Sequence, residues 1–178
     1  MRYADGRTVQ RPGVGAMRFH SAPGHRHWHY QAFEVYELRS VDGTLARPSQ
    51  KTGFCLGDRY DADFFSMWPN EPRSPVWRQQ CGLDRPDLLR LRNGISVGYG
   101  DDYDPHLEGQ YVDVTGLPAG DYDLVHRVNA AATLLEADYT NNRACVGVRL
   151  AWPRGAARAP TFRDVPCSTH NTHTEVQP

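Results

Sequence analysis

The segment His25-Arg26-His27-Trp28-His29 sets three imidazoles at positions i, i+2 and i+4. Alternate side chains of an extended segment leave the same face, so this spacing lets all three converge on one metal ion. Three neutral nitrogen donors leave coordination positions open and suit copper or zinc, with copper favoured by intrinsic affinity. A purification tag is contiguous and terminal, and this cluster is neither. The plain alternative is a surface strand carrying exposed histidines. His20, five residues upstream, reads as a spectator.

A second chemical signal is a residue kept where its type is otherwise gone: of 20 Lys plus Arg, Lys51 is the only lysine. A coding bias toward arginine explains the arginines but not the retained lysine. The guanidinium stays protonated and presents no lone pair, so arginine cannot replace an amine that must act as a nucleophile. Further along, Gly94-Ile95-Ser96-Val97-Gly98-Tyr99-Gly100-Asp101-Asp102-Tyr103 reads by itself as a glycine-rich turn leading into a strand. A tyrosine there more often packs than reacts. Cys55, Cys81, Cys145 and Cys167 form no CxxC pair, which argues against a zinc ribbon or a thioredoxin motif. An even number of widely spaced cysteines fits two disulfides and an oxidising compartment, with all three connectivities open. Four buried thiols in a cytosolic protein are the alternative.

Taken together and in order, the motifs resemble those of the lysyl oxidase catalytic domain. They are the HxHxH segment, Lys51-Thr52-Gly53-Phe54-Cys55-Leu56-Gly57-Asp58, the run from Gly94 to Thr115, and Leu135-Glu136-Ala137-Asp138-Tyr139-Thr140-Asn141-Asn142 followed by Cys145. The resemblance extends from about His20 to Cys167. It implies that His25, His27 and His29 ligate copper. It also implies that Lys51 and Tyr103 join as lysine tyrosylquinone, a cofactor made from the protein's own side chains, and that Cys55 pairs with Cys81 and Cys145 with Cys167. The activity implied is oxidative deamination of a primary amine, either a small amine or a lysine-containing peptide or protein. Dioxygen is the oxidant, and aldehyde, ammonia and hydrogen peroxide are the products. Zinc is an expected occupant of a recombinant precursor made without copper. Gly24, Tyr99 and Gly109 stand where the family often has cysteines, and the stretch from Cys55 to Gly94 is longer than in the animal enzymes. These departures point to a microbial relative with a differently walled site. Asp101, Asp102, Asp104 and His106 neighbour Tyr103, and His126 sits in a strand pattern. The sequence does not choose a catalytic base among them.

Two other readings account for part of the pattern. A secreted structural or adhesion module could keep the fold and the metal without the cofactor, though the retained Lys51 argues against it. A zinc hydrolase would use the three histidines and a bound water but gives Lys51 and Tyr103 no task.

The elements that must position these groups are β-strands. Proline and glycine total 29 of 178 residues and recur along the chain, which leaves no room for a long uninterrupted helix. The strand patterns are Tyr30 to Leu38, Gln110 to Thr115, Asp121 to Val128 and Arg143 to Trp152, with an evident turn from Gly116 to Gly120. Leu56 to Asn93 reads as a long ordered loop with a short helix at Pro86 to Leu91. The expected fold is mainly β: a small antiparallel β-sandwich core with long loops and at most short helices. It forms a single domain over residues 1–178, with its core at about 18–167 and loosely ordered termini. A net charge of -1 gives no basis for nucleic acid or an anionic membrane as partner. No stretch approaches the ~20 apolar residues of a membrane span. The cysteines and the resemblance imply a secreted protein, and since the first residues lack the apolar core of a signal peptide, the expectation is that its leader is missing from this numbering.

Overall fold

Val, Leu and Tyr alternate with polar residues over three stretches, and these become the long strands of the protein, seen in a computed structural model. It describes residues 7, 9–10, 12–22, 25–50, 53–62, 67–78, 80–104, 106, 109–136 and 138–172. In chain order the strands are β1 (Met17–Phe19), β2 (Trp28–Gln31), β3 (Glu34–Ser40), β4 (Leu45–Pro48), β5 (Gly53–Phe54), β6 (Tyr60–Asp61), β7 (Tyr99–Gly100), β8 (Gly120–Val128), β9 (Arg143–Ala151) and β10 (Thr161–Val165). One short helix, α1 (Thr169–Thr172), follows. The fold is mainly β, as the sequence implies, and every strand pairing is antiparallel.

The described residues form three sheets: β10-β9-β8-β3-β4, β1-β2-β5 and β6-β7. Leu38, Tyr122 and Leu150 are buried at the centre of the five-stranded sheet, packed by Val112, Val114, Leu117, Leu124, Val148 and Trp152. Each such large apolar side chain contributes roughly 1.5–3 kcal/mol by leaving water. Along the Leu38 face, β3 and β8 change from apolar to polar: Tyr36 lies opposite His126, and Glu34 opposite Val128. The core therefore gives way to titratable groups at one end of the sheet.

The structure revises three local expectations. The Tyr30 to Leu38 pattern is two strands, because Ala32 takes a left-handed φ of 56° and turns β2 into β3. Gln110 to Thr115 is not a strand. Val112 and Val114 alternate because they pack onto the core. The backbone around them closes local turns instead, Leu117 N–H to Val114 O at 3.0 Å and Thr115 N–H to Asp113 Oδ1 at 2.9 Å. The Trp152 indole N–H bonds Leu117 O at 2.9 Å and the Tyr122 hydroxyl bonds Pro118 O at 3.0 Å, pinning this loop. No helix forms at Pro86 to Leu91. There, Arg85 N–H bonds Gly82 O, and the Arg85 guanidinium bonds the Asp87 carboxylate.

The helix that does form, α1, shows no apolar period and is held by polar burial. Asn171, fully buried, donates to Asp123 Oδ2 at 2.7 Å and to Ser40 O at 3.1 Å, and accepts from Arg143 at 3.1 Å. Among the described residues no helix is long and apolar enough to cross a membrane.

Candidate metal and tyrosine site

The three histidines lie at the entrance to β2, with His29 inside the strand and His25 and His27 in the segment leading to it. Backbone bonds fix that segment. His20 N–H reaches His27 O at 2.8 Å, His25 N–H reaches Ala22 O at 3.0 Å, and Trp28 N–H reaches Cys81 O at 2.9 Å. One ring nitrogen from each of His25, His27 and His29 lies within 4.8 Å of the others. The Nε2 atoms of His27 and His29 are 2.9 Å apart. Donors bound tetrahedrally at 2.0–2.1 Å stand about 3.3 Å apart, so small ring rotations would seat one ion among these three. The donor set is all nitrogen, which fits copper or zinc and not a hard oxygen-seeking cation. His20 is closer to this group than its sequence position suggests: its ring centroid lies 4.8 Å from that of His25 and 5.3 Å from that of His29. Its Nδ1 is buried without a hydrogen-bond partner. A second grouping, Asp123 with Cys145 and Cys167, offers no free sulfur, because the two cysteines form a disulfide.

Strand β2 delivers this cluster to β5, where Tyr30 pairs with Phe54 and Gln31 with Gly53. The approach is close enough that a Cβ at Gly53 would meet the Gln31 amide and come within 2.8 Å of the His29 Cβ. Phe54 of β5 and Cys55 just after it hold the tyrosine. The Tyr103 ring meets Phe54 edge-on at 5.1 Å between centroids. Its hydroxyl accepts from Cys55 N–H at 2.7 Å and donates to Cys55 O at 3.0 Å. Lys51, two residues before Gly53, lies outside the described residues.

Asp101 docks on the same stretch, taking the Gly57 N–H on Oδ2 at 3.1 Å, with Arg59 Nε 3.5 Å from its Oδ1. Residues 101 and 103 thus set alternate side chains against residues 57 and 55. Burial raises the Asp101 carboxyl to about 6, although Arg59 and the Gly57 N–H pull it down. Burial, and after it the Asp101 charge, holds the Tyr103 phenol far above its ordinary value, so the ring stays neutral at physiological pH. Asp58 goes the other way. Burial pushes it up, but N–H bonds from Ser96 (2.7 Å), Val76 (2.8 Å) and Trp77 (3.1 Å) outweigh burial and hold its carboxyl below the usual range.

Both disulfides implied by the family motifs are present, Cys55–Cys81 and Cys145–Cys167. The first joins the residue that holds Tyr103 to the one whose carbonyl holds Trp28, between two of the histidines. The other titratable neighbours separate. Asp104 and His106 pair with each other at 2.7 Å, mostly exposed. His126 stacks flat on Tyr36, with centroids 4.3 Å apart, and its Nε2 lies 3.2 Å from Glu34 Oε2, an approach too bent for a hydrogen bond. Sequence reading missed Glu34, Arg59 and the position of His20. Only His20, close to the other histidines in the chain, left a local signal.

An antiparallel β framework that gathers three imidazoles in β2 and the segment leading into it, and ties a half-buried tyrosine to the residue after the paired strand, defines a β-domain with a histidine cluster and an anchored tyrosine. The family model described as lysyl oxidase matches residues 86–153. The chain is 31% identical over 140 residues to lysyl oxidase homolog 2A of Danio rerio, covering 77% of this chain and 17% of that protein. It is 30% identical over 139 residues to lysyl oxidase homolog 2 of Xenopus tropicalis, covering 78% and 16%. Against lysyl oxidase homolog 4 of Mus musculus it is 29% identical over 141 residues, covering 79% and 16%. The chain belongs to the lysyl oxidase family, and it aligns with about one sixth of the length of these curated relatives.

Proposed function

We propose that this chain is a single secreted catalytic domain that oxidatively deaminates primary amines, with copper held by His25, His27 and His29 and a quinone built from Tyr103 and Lys51. The observation that carries the reading is one strand pair and its flanks: β2 and the segment leading into it bear the histidines, and Cys55, directly after β5, holds the tyrosine. The family's members and the departures noted in the sequence leave the amine itself to be found by assay, from small amines to lysine-containing peptides.

The bound groups would supply redox chemistry with dioxygen and an electron sink for the amine. The chain's own residues do the rest. His25, His27 and His29 present ring nitrogens from a segment fixed by backbone bonds. The Cys55 backbone orients the Tyr103 ring and fixes where its oxygen points. Phe54 packs perpendicular to that ring and holds it in place. Lys51 is joined to this strand through Thr52, so its Cα is at most about 7 Å from that of Gly53, a distance set by chain length alone.

The test is copper loading under air followed by peroxide release across a panel of primary amines and lysine-containing peptides. Wild type is expected to turn over at least one class, and Lys51→Arg and Tyr103→Phe are expected to turn over none. A copper-loaded wild type that is silent with every amine, or a fully active Lys51→Arg, contradicts the proposal.

A further inference from the structure

Five side chains near Tyr103 in sequence or strand pattern could take a proton: Asp101, Asp102, Asp104, His106 and His126. The structure separates them. Asp104 and His106 are 65% and 93% exposed and pair with one another, so solvent screens both. Asp102 points to solvent. His126 is held between the Tyr36 ring and the Glu34 carboxylate on the five-stranded sheet. Asp101 alone is withdrawn from water, its side chain 4% exposed, and it leaves the chain on the same side as Tyr103.

Its two oxygens are unequal. Oδ2 takes the Gly57 N–H at 3.1 Å, while Oδ1 faces Arg59 Nε at 3.5 Å, too long for a strong hydrogen bond and so open to a proton. The charges acting on it are Arg59 from the 55–59 stretch, Glu34 from β3, and Asp102 beside it. We infer that Asp101 is the base of this site, taking the proton from the carbon next to the nitrogen of a bound primary amine. The inference rests on the proposed amine oxidase reading. The C–H bond breaks, the proton passes to Asp101 Oδ1, and the bond's electron pair passes to the quinone oxidant, which is reduced by two electrons. A carboxyl that titrates at about 6 is largely ionised at neutral pH while still basic enough for the task.

Asp101→Asn tests this, because the amide oxygen can still accept the Gly57 N–H while the charge and the proton acceptor are lost. In copper-loaded protein the variant is expected to form the quinone, read by reaction with phenylhydrazine, yet to lose roughly 10²–10⁴-fold in turnover. Asp101→Glu is expected to recover part of that rate with a displaced acid limb in its pH profile. Asp104→Asn is expected to match wild type. Without metal, the Asp101 carboxyl carbon followed by NMR should titrate near 6, and Asp101→Asn should raise the Tm at pH 8 but not at pH 4, since a buried carboxylate weakens the fold. Turnover within threefold of wild type, failure of Asp101→Asn to form the quinone, or a Tm lowered at pH 8 overturns the inference. A wild type that forms the quinone but oxidises no amine overturns the parent reading, and this one with it.

Discussion

The Tyr103 hydroxyl is gripped on both sides by one residue, accepting from the Cys55 N–H and donating to the Cys55 carbonyl. A phenol bound in this way is both a structural tie and a ring held in a fixed orientation. Tyr103→Phe removes both bonds and leaves a buried N–H and C=O at Cys55 without partners. The expected cost is about 1–3 kcal/mol, measured by urea unfolding of metal-free protein, with loss of quinone formation after copper loading.

The Cys55–Cys81 disulfide closes a loop across a sequence separation of 26 and mechanically joins the tyrosine anchor to the histidine segment. Chain entropy puts its loss at about 3.5 kcal/mol. Replacing both cysteines with serine should lower the unfolding free energy by that order. It should also weaken copper binding, measured by competition with a chelator, because the Cys81 carbonyl no longer fixes Trp28.

For the metal, wild type is expected to bind one copper per chain, measured by elemental analysis after dialysis. His25→Ala and His27→Ala should each weaken binding at least 10-fold, and His29→Ala should in addition destabilise the fold, since His29 is only 3% exposed.

Asp58 gives the pH response of the fold. Its carboxyl lies below the usual range, so its stabilisation is fully present above the unfolded value near 4 and is lost as pH falls through the lower folded value. Asp58→Ala strands the N–H groups of Val76, Trp77 and Ser96 and is expected to cost about 2–4 kcal/mol at pH 7. That difference should shrink in acid, as measured by unfolding between pH 7 and pH 2. Asp101 has the opposite sign: its contribution is greatest below pH 4 and is lost as pH rises through about 6.

At Gly53 the side chains of β2 leave no room for a Cβ. Gly53→Ala forces a Cβ against the Gln31 and His29 side chains, and should cost about 1–3 kcal/mol and weaken copper binding together, since His29 must shift to admit it.

Much of this was legible in the sequence because it depends on local spacing. Three histidines two residues apart converge in almost any extended backbone, and the long strands β8 and β9 follow directly from alternation. The contacts that give Tyr103 and Asp101 their environments were not legible, because they cross 48 and 44 residues of chain to Cys55 and Gly57. Neither residue type nor spacing signals a side chain that bonds backbone so far away. Gln110 to Thr115 failed for a related reason, since alternation records which side chains face a core and not whether the backbone pairs. Helix α1 was invisible because buried Asn171, and not an apolar stripe, fixes it.

Lys51, whose union with Tyr103 makes the proposed quinone, is the chain's only lysine, so its amine can be followed without interference from another ε-amine. The most direct measurement is mass spectrometry of a digest made after copper loading under air. One cross-linked peptide joining Lys51 to Tyr103 is expected, with loss of the unlinked Lys51 peptide. Recovery of both peptides unlinked from copper-saturated, aerobically incubated protein would contradict that union.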